Sequence, residues 1–525
     1  MISAATQRLL DFLSQAESYP HRPPQVTLVQ THASWVFIAP PFVYKIKKPV
    51  NLGFLDFSTL ELRHEDCKHE VVLNRRLAED VYLGIEPICE HEGSLHFGGY
   101  GVVVEWAVKM RQMDPRFFLL ELMKTQNVGR REMDRIAEKL QRFYGTQPPL
   151  PPGDVRTANE HLRQGTEDNF KTSAQFVGPS LSQSALDAIA HYTREFFARH
   201  GALLDSRLHD GWIRDCHGDL HLEHIHLSPE AVSIYDCIEF NTDFRCIDVA
   251  CDIAFLAMDL DFNGRPDLAR YIVERFVLLL DDHGMSSLMD FYKCYRACVR
   301  GKVESLHASA ETVAECEKQA SLQLAQRYFQ LALQYALAGS KPRLYVFMGK
   351  VASGKSALAE ALGQETGWPV LSSDRVRKSQ AGTPLNHRGS EAERAALYAP
   401  AMTKKTYELL FEQALATLRE GHCVILDATF SKSEHRDALK ELMAAEGFDV
   451  RWVEAHASEA VVRERLLQRD GDCEVVSDAR LEDWKRLSAG YEVPDELLPE
   501  EKLCILADGK LEQVFGMLLK ELVVR

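Results

Sequence analysis

The chain has 525 residues, of which 46% are hydrophobic and 26% are charged, as in ordinary globular proteins. That length exceeds what a single hydrophobic core supports and predicts roughly two to four domains. The formal net charge of −16 argues against a general nucleic-acid coat and against an anionic membrane surface as a partner.

The twelve cysteines are scattered along the chain, and none forms a Cys-x-x-Cys pair. Reduced thiols in a cytoplasmic protein are therefore the expected state. Residues 1–8 lack a basic start followed by an apolar core, and no apolar run approaches ~20 residues. We therefore expect no signal peptide, no membrane span and a cytoplasmic location, and the oligomeric state is left open.

The first 110 residues predict a small antiparallel sheet that carries one helix. Short apolar runs separated by turns such as Pro40-Pro41 are typical of strands. The expected strands are 26–29, 34–39, 42–47, 85–88 and 101–106, after a short amphipathic helix at 2–16. The main helix, 58–79, is expected to turn five side chains to the core: Leu62, Val71, Val72, Leu73 and Leu77.

Residues 111–338 are predicted to be mainly helical. The expected helices are 130–144, 182–200, 264–282, 286–305 and 310–338. A short β-like segment, 212–240, lies between them and carries the densest polar cluster of the chain. The last helix stops at 339–342, where Gly is followed by Pro, and we place the main domain boundary there.

Residues 339–525 alternate between strands and helices. The expected strands are 343–348, 369–372, 422–426, 449–454 and 502–506. The expected helices are 355–363, 391–419, 431–445, 458–469, 478–489 and 510–522. Regular alternation predicts an α/β domain with a parallel sheet and helices on both faces. Nucleotide is expected at the carboxyl end of its first strand.

Two aspartates mark the polar cluster of the first half. Asp219 lies in a polar loop, and Asp236 ends a short apolar strand seventeen residues later. Phosphoryl transfer needs one carboxylate to accept the hydroxyl proton of the acceptor and another to hold the Mg²⁺ that bridges the phosphates. Asp219 fits the first role and Asp236 the second.

Two other interpretations of this cluster stay open. One is a polar loop with capping aspartates. The other is a zinc site, for which no cysteine completes a tetrahedral set; its histidines would be His217, His221, His224 and His226.

The segment 217–224, His-Gly-Asp-Leu-His-Leu-Glu-His, resembles the H-G-D-x-H-x-x-N loop of the aminoglycoside phosphotransferase and choline kinase branch of the protein-kinase-like superfamily. The resemblance implies an α+β protein-kinase-like fold that binds ATP and Mg²⁺, with a small β-rich lobe at 1–110 and a mainly helical lobe at 111–338. The family has Asn as a second Mg²⁺ ligand where this chain has His224, and imidazole is a poorer partner for Mg²⁺ than an amide oxygen. The candidate ligands for the second ion are therefore His224 and Glu223, and the alternative is a site with one ion. The segment 248–252 resembles the D-x-A-x-D stretch that braces the loop.

The same superfamily pairs a lysine on an early strand with a helix glutamate, to hold the α- and β-phosphates. By resemblance, Lys45 takes the first role and Glu70 the second. Lys47 shares the side of Lys45 by strand alternation, so the choice between the two lysines is open. The alternative is a solvated basic turn at 45–48.

The segment 349–356 fits G-x-x-x-x-G-K-[ST], between an apolar strand and a helix as the motif requires. Its glycines let backbone N–H groups point inward, and the helix start adds donors and a positive dipole end. Lys355 is expected to reach the β- and γ-phosphates, and Ser356 to ligate Mg²⁺. The expected ATP-binding residues here are Gly349, Lys350, Val351, Ala352, Ser353, Gly354, Lys355 and Ser356.

Asp374 and Asp427 follow the second and third strands of this half and are expected to end central strands facing the loop. Asp427 suits the positioning of Mg²⁺, and Asp374 suits the acceptance of a hydroxyl proton. Arg465 and Arg469 share a helix face and are expected to neutralise the γ-phosphate in the transition state. An exposed basic helix is the alternative.

These residues, with Arg377 and Arg436 as expected substrate contacts, resemble the polynucleotide-kinase and zeta-toxin-like P-loop kinases. The tandem of the two halves, divided at 338/339, resembles bacterial two-domain proteins that join an aminoglycoside phosphotransferase-like domain to a P-loop domain. The resulting hypothesis is a bifunctional phosphotransferase with two ATP–Mg sites, each acting on a hydroxyl of a small molecule or, in the second half, of a nucleic-acid end. Two alternatives stay open: one catalytic half regulated by a nucleotide-binding half, and an aminoglycoside-modifying kinase.

Overall fold

The computed structural model describes residues 3–31, 33–51, 53, 55–125, 128–310, 313–387, 389–470 and 480–524, leaving aside the side chains of 152–158, 469, 470, 482, 483, 486 and 524. The chain forms two compact units. Unit one is Met1–Gln164 with Ala202–Tyr292, and unit two is Gly165–Gly201 with Lys293–Arg525. The helical residues 293–338 thus belong to unit two, and the three-domain division expected from the sequence stays a prediction.

The elements up to residue 292 follow in chain order. They are α1 Ala4–Leu13, β1 Thr27–Gln30, β2 Ser34–Ala39, β3 Phe42–Lys47, α2 Leu60–Ala78, β4 Tyr82–His91, β5 Ser94–Phe97, β6 Val102–Arg111, α3 Leu119–Lys124, α4 Arg130–Thr146, α5 Pro152–Ser173, α6 Gln183–His209, β7 Ile213–Asp215, β8 Ile225–Leu227, β9 Val232–Ile234, β10 Cys246–Asp248, α7 Val249–Phe262 and α8 Pro266–Leu280.

The remaining elements follow α8 in chain order. They are α9 Met289–Ser309, α10 Glu315–Ala338, β11 Arg343–Met348, α11 Lys355–Thr366, β12 Val370–Ser372, α12 Ser373–Gln380, α13 Glu391–Leu397, α14 Pro400–Arg419, β13 Val424–Asp427, α15 Ser433–Glu446, β14 Asp449–His456, α16 Glu459–Asp470, α17 Leu481–Ala489, β15 Lys502–Leu506 and α18 Leu511–Val524.

Unit one is built around an antiparallel sheet of order β1-β2-β3-β6-β4-β5. The expected strands are present, β4 and β6 run to ten residues each, and β5 was not anticipated. One face of the sheet, including Trp35 and Phe37, packs against Leu9, Leu10 and Leu13 of α1. This apolar contact accounts for the amphipathic pattern of the first helix.

The helix α2 buries a charged face where an apolar one was predicted. Leu62 is 42% exposed and Val72 is 67% exposed, so these two core assignments are wrong, whereas Val71 and Leu77 are buried as predicted. Paired charges can be buried where lone ones cannot, and for this reason hydrophobicity alone misassigned the inner face. The buried polar residues of α2, three or four positions apart, are Arg63, Asp66, Glu70 and Asn74.

The polar segment of unit one is held by two short ribbons. β7 pairs with β10, and β8 pairs with β9, both antiparallel. The helix α7 follows β10 directly and was not predicted. Residues 249–260 of α7 are all buried, so the helix is enclosed on every side and carries little amphipathic signal.

Unit two contains a parallel sheet of order β12-β13-β11-β14-β15, in which all four pairings are parallel as expected. Leu344, Val346 and Met348 of β11 pack with α14 and α15 on one face. On the other face, Gly363 of α11 lies close to Val370 and Ile425. The helices α12 and α13 were not predicted as separate elements. Within the described part of the chain, we find no helix both long and apolar enough to cross a membrane.

Candidate functional site

Two lysines of β3 share one helix glutamate in unit one. Lys45 Nζ lies 2.8 Å from one oxygen of Glu70, and Lys47 Nζ lies 2.6 Å from the other. The Lys45 side chain is 14% exposed and that of Lys47 is 1% exposed, so the alternative of a solvated basic turn is wrong for both. The predicted Lys45–Glu70 contact is present, and its role in ATP binding stays a prediction.

Lys47 belongs to a buried cluster that the sequence analysis missed. Its Nζ lies 2.7 Å from Asp66 Oδ2 and also contacts Glu239. Burial acts to raise the pKa of Glu70, but Lys45 and Lys47 hold this pKa below its usual value. The only advance signal for Glu239 was its position three residues after Asp236.

Asp236 follows β9 with a φ of +61°, in the left-handed region that Asp tolerates better than most residues. Its Oδ1 accepts a hydrogen bond from Lys45 Nζ at 2.7 Å, and its Oδ2 lies 3.5 Å from His224 Nε2. Burial acts to raise the pKa of this carboxyl, but Lys45 holds the pKa well below its usual range. Asp236 is therefore ionised, as a cation ligand must be.

The loop that carries Asp219 is braced by Asp252 of α7. The carboxylate of Asp252 accepts hydrogen bonds from the backbone N–H groups of His217, at 3.0 Å, and Gly218, at 2.9 Å, and from the hydroxyl of Tyr144, at 2.8 Å. Gly218 has a φ of +85°, and a Cβ there would lie 2.8 Å from the Phe244 carbonyl oxygen. The bracing implied by the resemblance is thus observed for Asp252.

Two of the four histidines near this loop converge on Asp219. Its Oδ2 lies 3.4 Å from His221 Nε2 and 3.6 Å from His224 Nδ1. His217 and His226 instead have their Nε2 atoms 3.0 and 3.1 Å from backbone carbonyl oxygens. A zinc site built from all four rings is therefore not the arrangement found.

In unit two, the loop between β11 and α11 has the backbone that a phosphate cradle needs. Gly349 and Gly354 have φ values of +137° and +100°, and Ala352 also lies in the left-handed region. A Cβ on Gly349 would lie 2.4 Å from the Ala455 carbonyl oxygen, which no side chain tolerates. Gly354 precedes the first turn of α11, so the free N–H groups and the positive end of that helix face the loop.

Asp427 ends β13, which pairs directly with β11. Its carboxylate is buried and hydrogen-bonded to Ser356, and among the described residues its Oδ1 has no hydrogen-bond partner. Burial raises the pKa of Asp427, while Lys355 and Ser356 partly oppose this rise. A carboxylate oxygen without a partner beside a serine hydroxyl fits Mg²⁺, which prefers oxygen ligands.

Asp374 lies in the first turn of α12, after β12. Because β12 is an edge strand, the expectation that Asp374 ends a central strand is wrong. Its Oδ1 accepts hydrogen bonds from Arg377, at 2.7 Å, and from the hydroxyl of Tyr398, at 3.2 Å. The Arg377 guanidinium stacks 4.4 Å from the centre of the Tyr398 ring, a partner that no sequence signal indicated.

The three other arginines differ in their surroundings. Arg436 is fully buried, pairs with Glu496 and donates to the Phe430 carbonyl oxygen at 2.6 Å. The substrate contact predicted for Arg436 is therefore wrong in this structure, where the residue holds the fold together. Arg465 donates to the carbonyl oxygens of Ala352, at 3.1 Å, and Ala507, so it supports the P-loop backbone. The side chain of Arg469 lies outside the described residues.

The family model described as AAA domain matches residues 344–494. Two relatives, the uncharacterized proteins Rv2004c of Mycobacterium tuberculosis (strain ATCC 25618 / H37Rv) and Mb2027c of Mycobacterium bovis, are each 30% identical over 451 residues, which cover 85% of this chain and 87% of theirs. A gluconokinase structure from Sinorhizobium meliloti 1021 is 21% identical and covers 35% of this chain and 93% of that chain, with a TM-score of 0.25. The APS kinase CysC of Mycobacterium tuberculosis, in complex with AMPPNP and APS, is 21% identical and covers 35% and 99%, with a TM-score of 0.25.

Proposed function

This chain belongs to the family of the mycobacterial proteins Rv2004c and Mb2027c, and we propose that it is an ATP-dependent phosphotransferase with one site in each unit. The observation that carries the proposal is in unit two. There, the unpartnered oxygen of Asp427 and the Ser356 hydroxyl lie together beside the phosphate loop. Phosphoryl transfer requires a metal ion that bridges the β- and γ-phosphates, and these two oxygen ligands would hold it.

In unit two, each residue has a distinct part in the proposed reaction. Lys355 and the N–H groups at the start of α11 bind the phosphates and offset their charge. Ser356 and Asp427 would hold Mg²⁺, which when bound offsets charge on the transferred group. Asp374 accepts the proton of the acceptor hydroxyl, and the contacts from Arg377 and Tyr398 orient its carboxylate. Arg465 keeps the loop in place through Ala352.

In unit one, the proposed site is centred on Asp219 and Asp236. Asp219 accepts the acceptor's proton, and its loop is held in position by Asp252. Asp236 would hold the divalent cation, and Lys45, oriented by Glu70, binds the nucleotide phosphates. What supports this assignment is the convergence of Lys45, Glu70 and Asp236 from three distant parts of the chain.

The second candidate is a regulatory one, in which unit one binds nucleotide and only unit two transfers phosphate. The observation that favours it is His224, which occupies the position of an expected Mg²⁺ ligand and makes close contacts with both aspartates. In both proposed functions, unit two binds ATP and transfers phosphate to a hydroxyl compound, such as a small molecule or a nucleic-acid end.

Single-site variants test these proposals. The full chain is incubated with ATP labelled in the γ-phosphate, a pool of small hydroxyl metabolites and a 5′-hydroxyl oligonucleotide. Lys355→Ala is expected to reduce the labelling of one set of products by roughly a hundredfold or more. Asp219→Asn is expected to reduce the labelling of another set by a similar factor. Lys510→Ala and Asp210→Asn change exposed residues of the same types in the same units and serve as controls.

The outcomes separate the two candidates. If Lys355→Ala abolishes all transfer and Asp219→Asn none, unit one is regulatory. If neither variant reduces transfer relative to its control, the proposed phosphotransferase is wrong for both units.

A further inference from the structure

We propose that unit one holds its divalent cation between His224 Nε2 and Asp236 Oδ2, and that this nitrogen ligand makes the site favour a first-row transition cation such as Mn²⁺ over Mg²⁺. The inference rests on the proposed function only for the presence of a cation. It goes beyond that function in assigning the ligand atoms and the class of metal.

The hydrogen bond at Nδ1 decides which nitrogen of His224 is available. Nδ1 lies 2.9 Å from the backbone carbonyl oxygen of Asp219. A carbonyl oxygen can only accept, so Nδ1 carries the hydrogen, and in the neutral ring Nε2 carries the lone pair. An imidazole whose second nitrogen donates to a backbone carbonyl is the arrangement that metal-ligating histidines usually have.

The separation of the two ligand atoms fits a shared cation. His224 Nε2 lies 3.5 Å from Asp236 Oδ2. Two ligands that are each about 2.1 Å from one cation, at tetrahedral or octahedral angles, lie about 3.0–3.4 Å apart, so the pair needs only a small adjustment. The other oxygen of Asp236 is bonded to Lys45, which leaves Oδ2 as the one that faces the ring.

The same geometry gives the two aspartates different roles, because Asp236 faces the metal-binding nitrogen of His224 and Asp219 does not. The carboxylate of Asp219 lies 3.6 Å from Nδ1, the nitrogen that carries the hydrogen, so Asp219 is left to accept the acceptor's proton. One imidazole nitrogen and one carboxylate oxygen make a mixed ligand pair. Such a pair binds transition cations better than Mg²⁺, which prefers an all-oxygen set.

The test uses the full chain with Ser356→Ala and Asp427→Asn, which removes the expected cation ligands of unit two. Mn²⁺ alone is titrated in, the free ion is followed by electron paramagnetic resonance, and the bound ion is examined by pulsed methods for ¹⁴N modulation. We expect one saturable site with ¹⁴N modulation, from which Mg²⁺ displaces Mn²⁺ only at a roughly tenfold or greater excess. His224→Asn should remove the modulation and bring the Mn²⁺/Mg²⁺ preference close to one. The control is His226→Asn, because the ring of His226 is hydrogen-bonded to the Asp114 carbonyl oxygen. This variant should retain both the ¹⁴N modulation and the Mn²⁺ preference.

Three results would overturn the inference: no Mn²⁺ bound, bound Mn²⁺ without ¹⁴N modulation, or modulation and preference that persist in His224→Asn. Binding of a non-hydrolysable ATP analogue is measured separately by calorimetry on the same chain with Lys355→Ala added, because Lys355 is the residue proposed to bind the phosphates in unit two. If the analogue does not bind while the His224-dependent signal is present, the proposed function of unit one fails and the metal assignment stands.

Discussion

The two aspartates proposed to hold cations, Asp236 in unit one and Asp427 in unit two, have opposite electrostatic surroundings. Both are subject to burial, which acts to raise the pKa of a carboxyl. For Asp236 the neighbouring Lys45 outweighs burial, and its pKa is well below the usual range. For Asp427 burial outweighs Lys355 and Ser356, and its pKa is raised.

The difference shows two ways of building the proposed phosphoryl-transfer sites. Unit one brings two lysines and several carboxylates together before any ligand arrives, so each lysine already has acidic partners. Unit two relies on backbone geometry, with glycines that shape the loop and a buried carboxylate oxygen left without a protein partner among the described residues. Substitutions that remove a side-chain charge are therefore expected to impair unit one most. Substitutions that constrain the backbone are expected to impair unit two most.

The largest expected effect is from Lys47→Met. This change leaves Asp66, Glu70 and Glu239 without their shared cation in a buried place, and is expected to destabilise unit one by about 3–5 kcal/mol. Lys45→Met should cost less stability, because that side chain is less buried, but should weaken ATP binding more. Urea unfolding and calorimetric ATP titration measure the two quantities. Equal stability of Lys47→Met and the parent chain would show that unit one does not depend on this charge cluster.

Gly349→Ala tests the backbone dependence of unit two. The added Cβ meets the Ala455 carbonyl at 2.4 Å, so the loop must shift, and we expect a roughly hundredfold loss of nucleotide affinity, about 2.7 kcal/mol. Gly447→Ala is the matched control. Gly447 also has a positive φ, of +76°, but no described residue lies within 4 Å of the Cβ that alanine would add, so this variant isolates backbone strain from the clash. Similar losses of affinity in both variants would contradict the proposed close approach.

Glu454→Gln tests whether the stability of unit two also depends on a buried charge next to its phosphate loop. Burial acts to raise the pKa of Glu454, but hydrogen bonds from His456 and Tyr491 bring it to about 2, below its ordinary 4.5. The unfolded chain then binds the proton more readily, so the stabilisation is full above pH 4.5 and is lost as pH falls toward 2.

At neutral pH the Glu454→Gln variant should therefore lose about 2 kcal/mol of stability, and the difference from the parent chain should vanish in acid. Unfolding midpoints measured across this pH range provide the check. The exposed Glu441→Gln is the control. A deficit that does not depend on pH would assign the effect to packing.

The smallest expected effect is from Arg465→Lys. A lysine cannot donate to Ala352 and Ala507 with the forked geometry of a guanidinium, so the loop loses one support. We expect a roughly fivefold rise in the KM for ATP, about 1 kcal/mol, with little change in kcat. A large fall in kcat with unchanged KM would instead indicate that Arg465 touches the transferred phosphate.

The fold of unit two was largely predictable because its signals are local. The bounds of β11 and β15 match the prediction to the residue, and the other three strands differ by a few residues at most, since each is a short apolar run between turns. The errors occur where contacts with other segments of the chain, rather than the local sequence pattern, determine which side chains are buried. Leu62 and Val72 failed as core residues because α2 buries charges, and α7 was missed because it is buried on every side and so lacks an amphipathic pattern.

The sequence by itself determined the phosphate loop at 349–356, the alternation that makes a parallel sheet, and the candidate residues Asp219, Asp236, Asp374 and Asp427, because each is marked by a short motif or a strand end. Lys45 and Glu70 were candidates by family resemblance, and the choice between Lys45 and Lys47 was open. Only the tertiary structure decided that Glu70 is shared by two lysines, that Arg436 is a buried support, and that His224 lies between two aspartates. These facts depend on ion pairs and hydrogen bonds between residues far apart in the chain. No periodicity or spacing records such contacts.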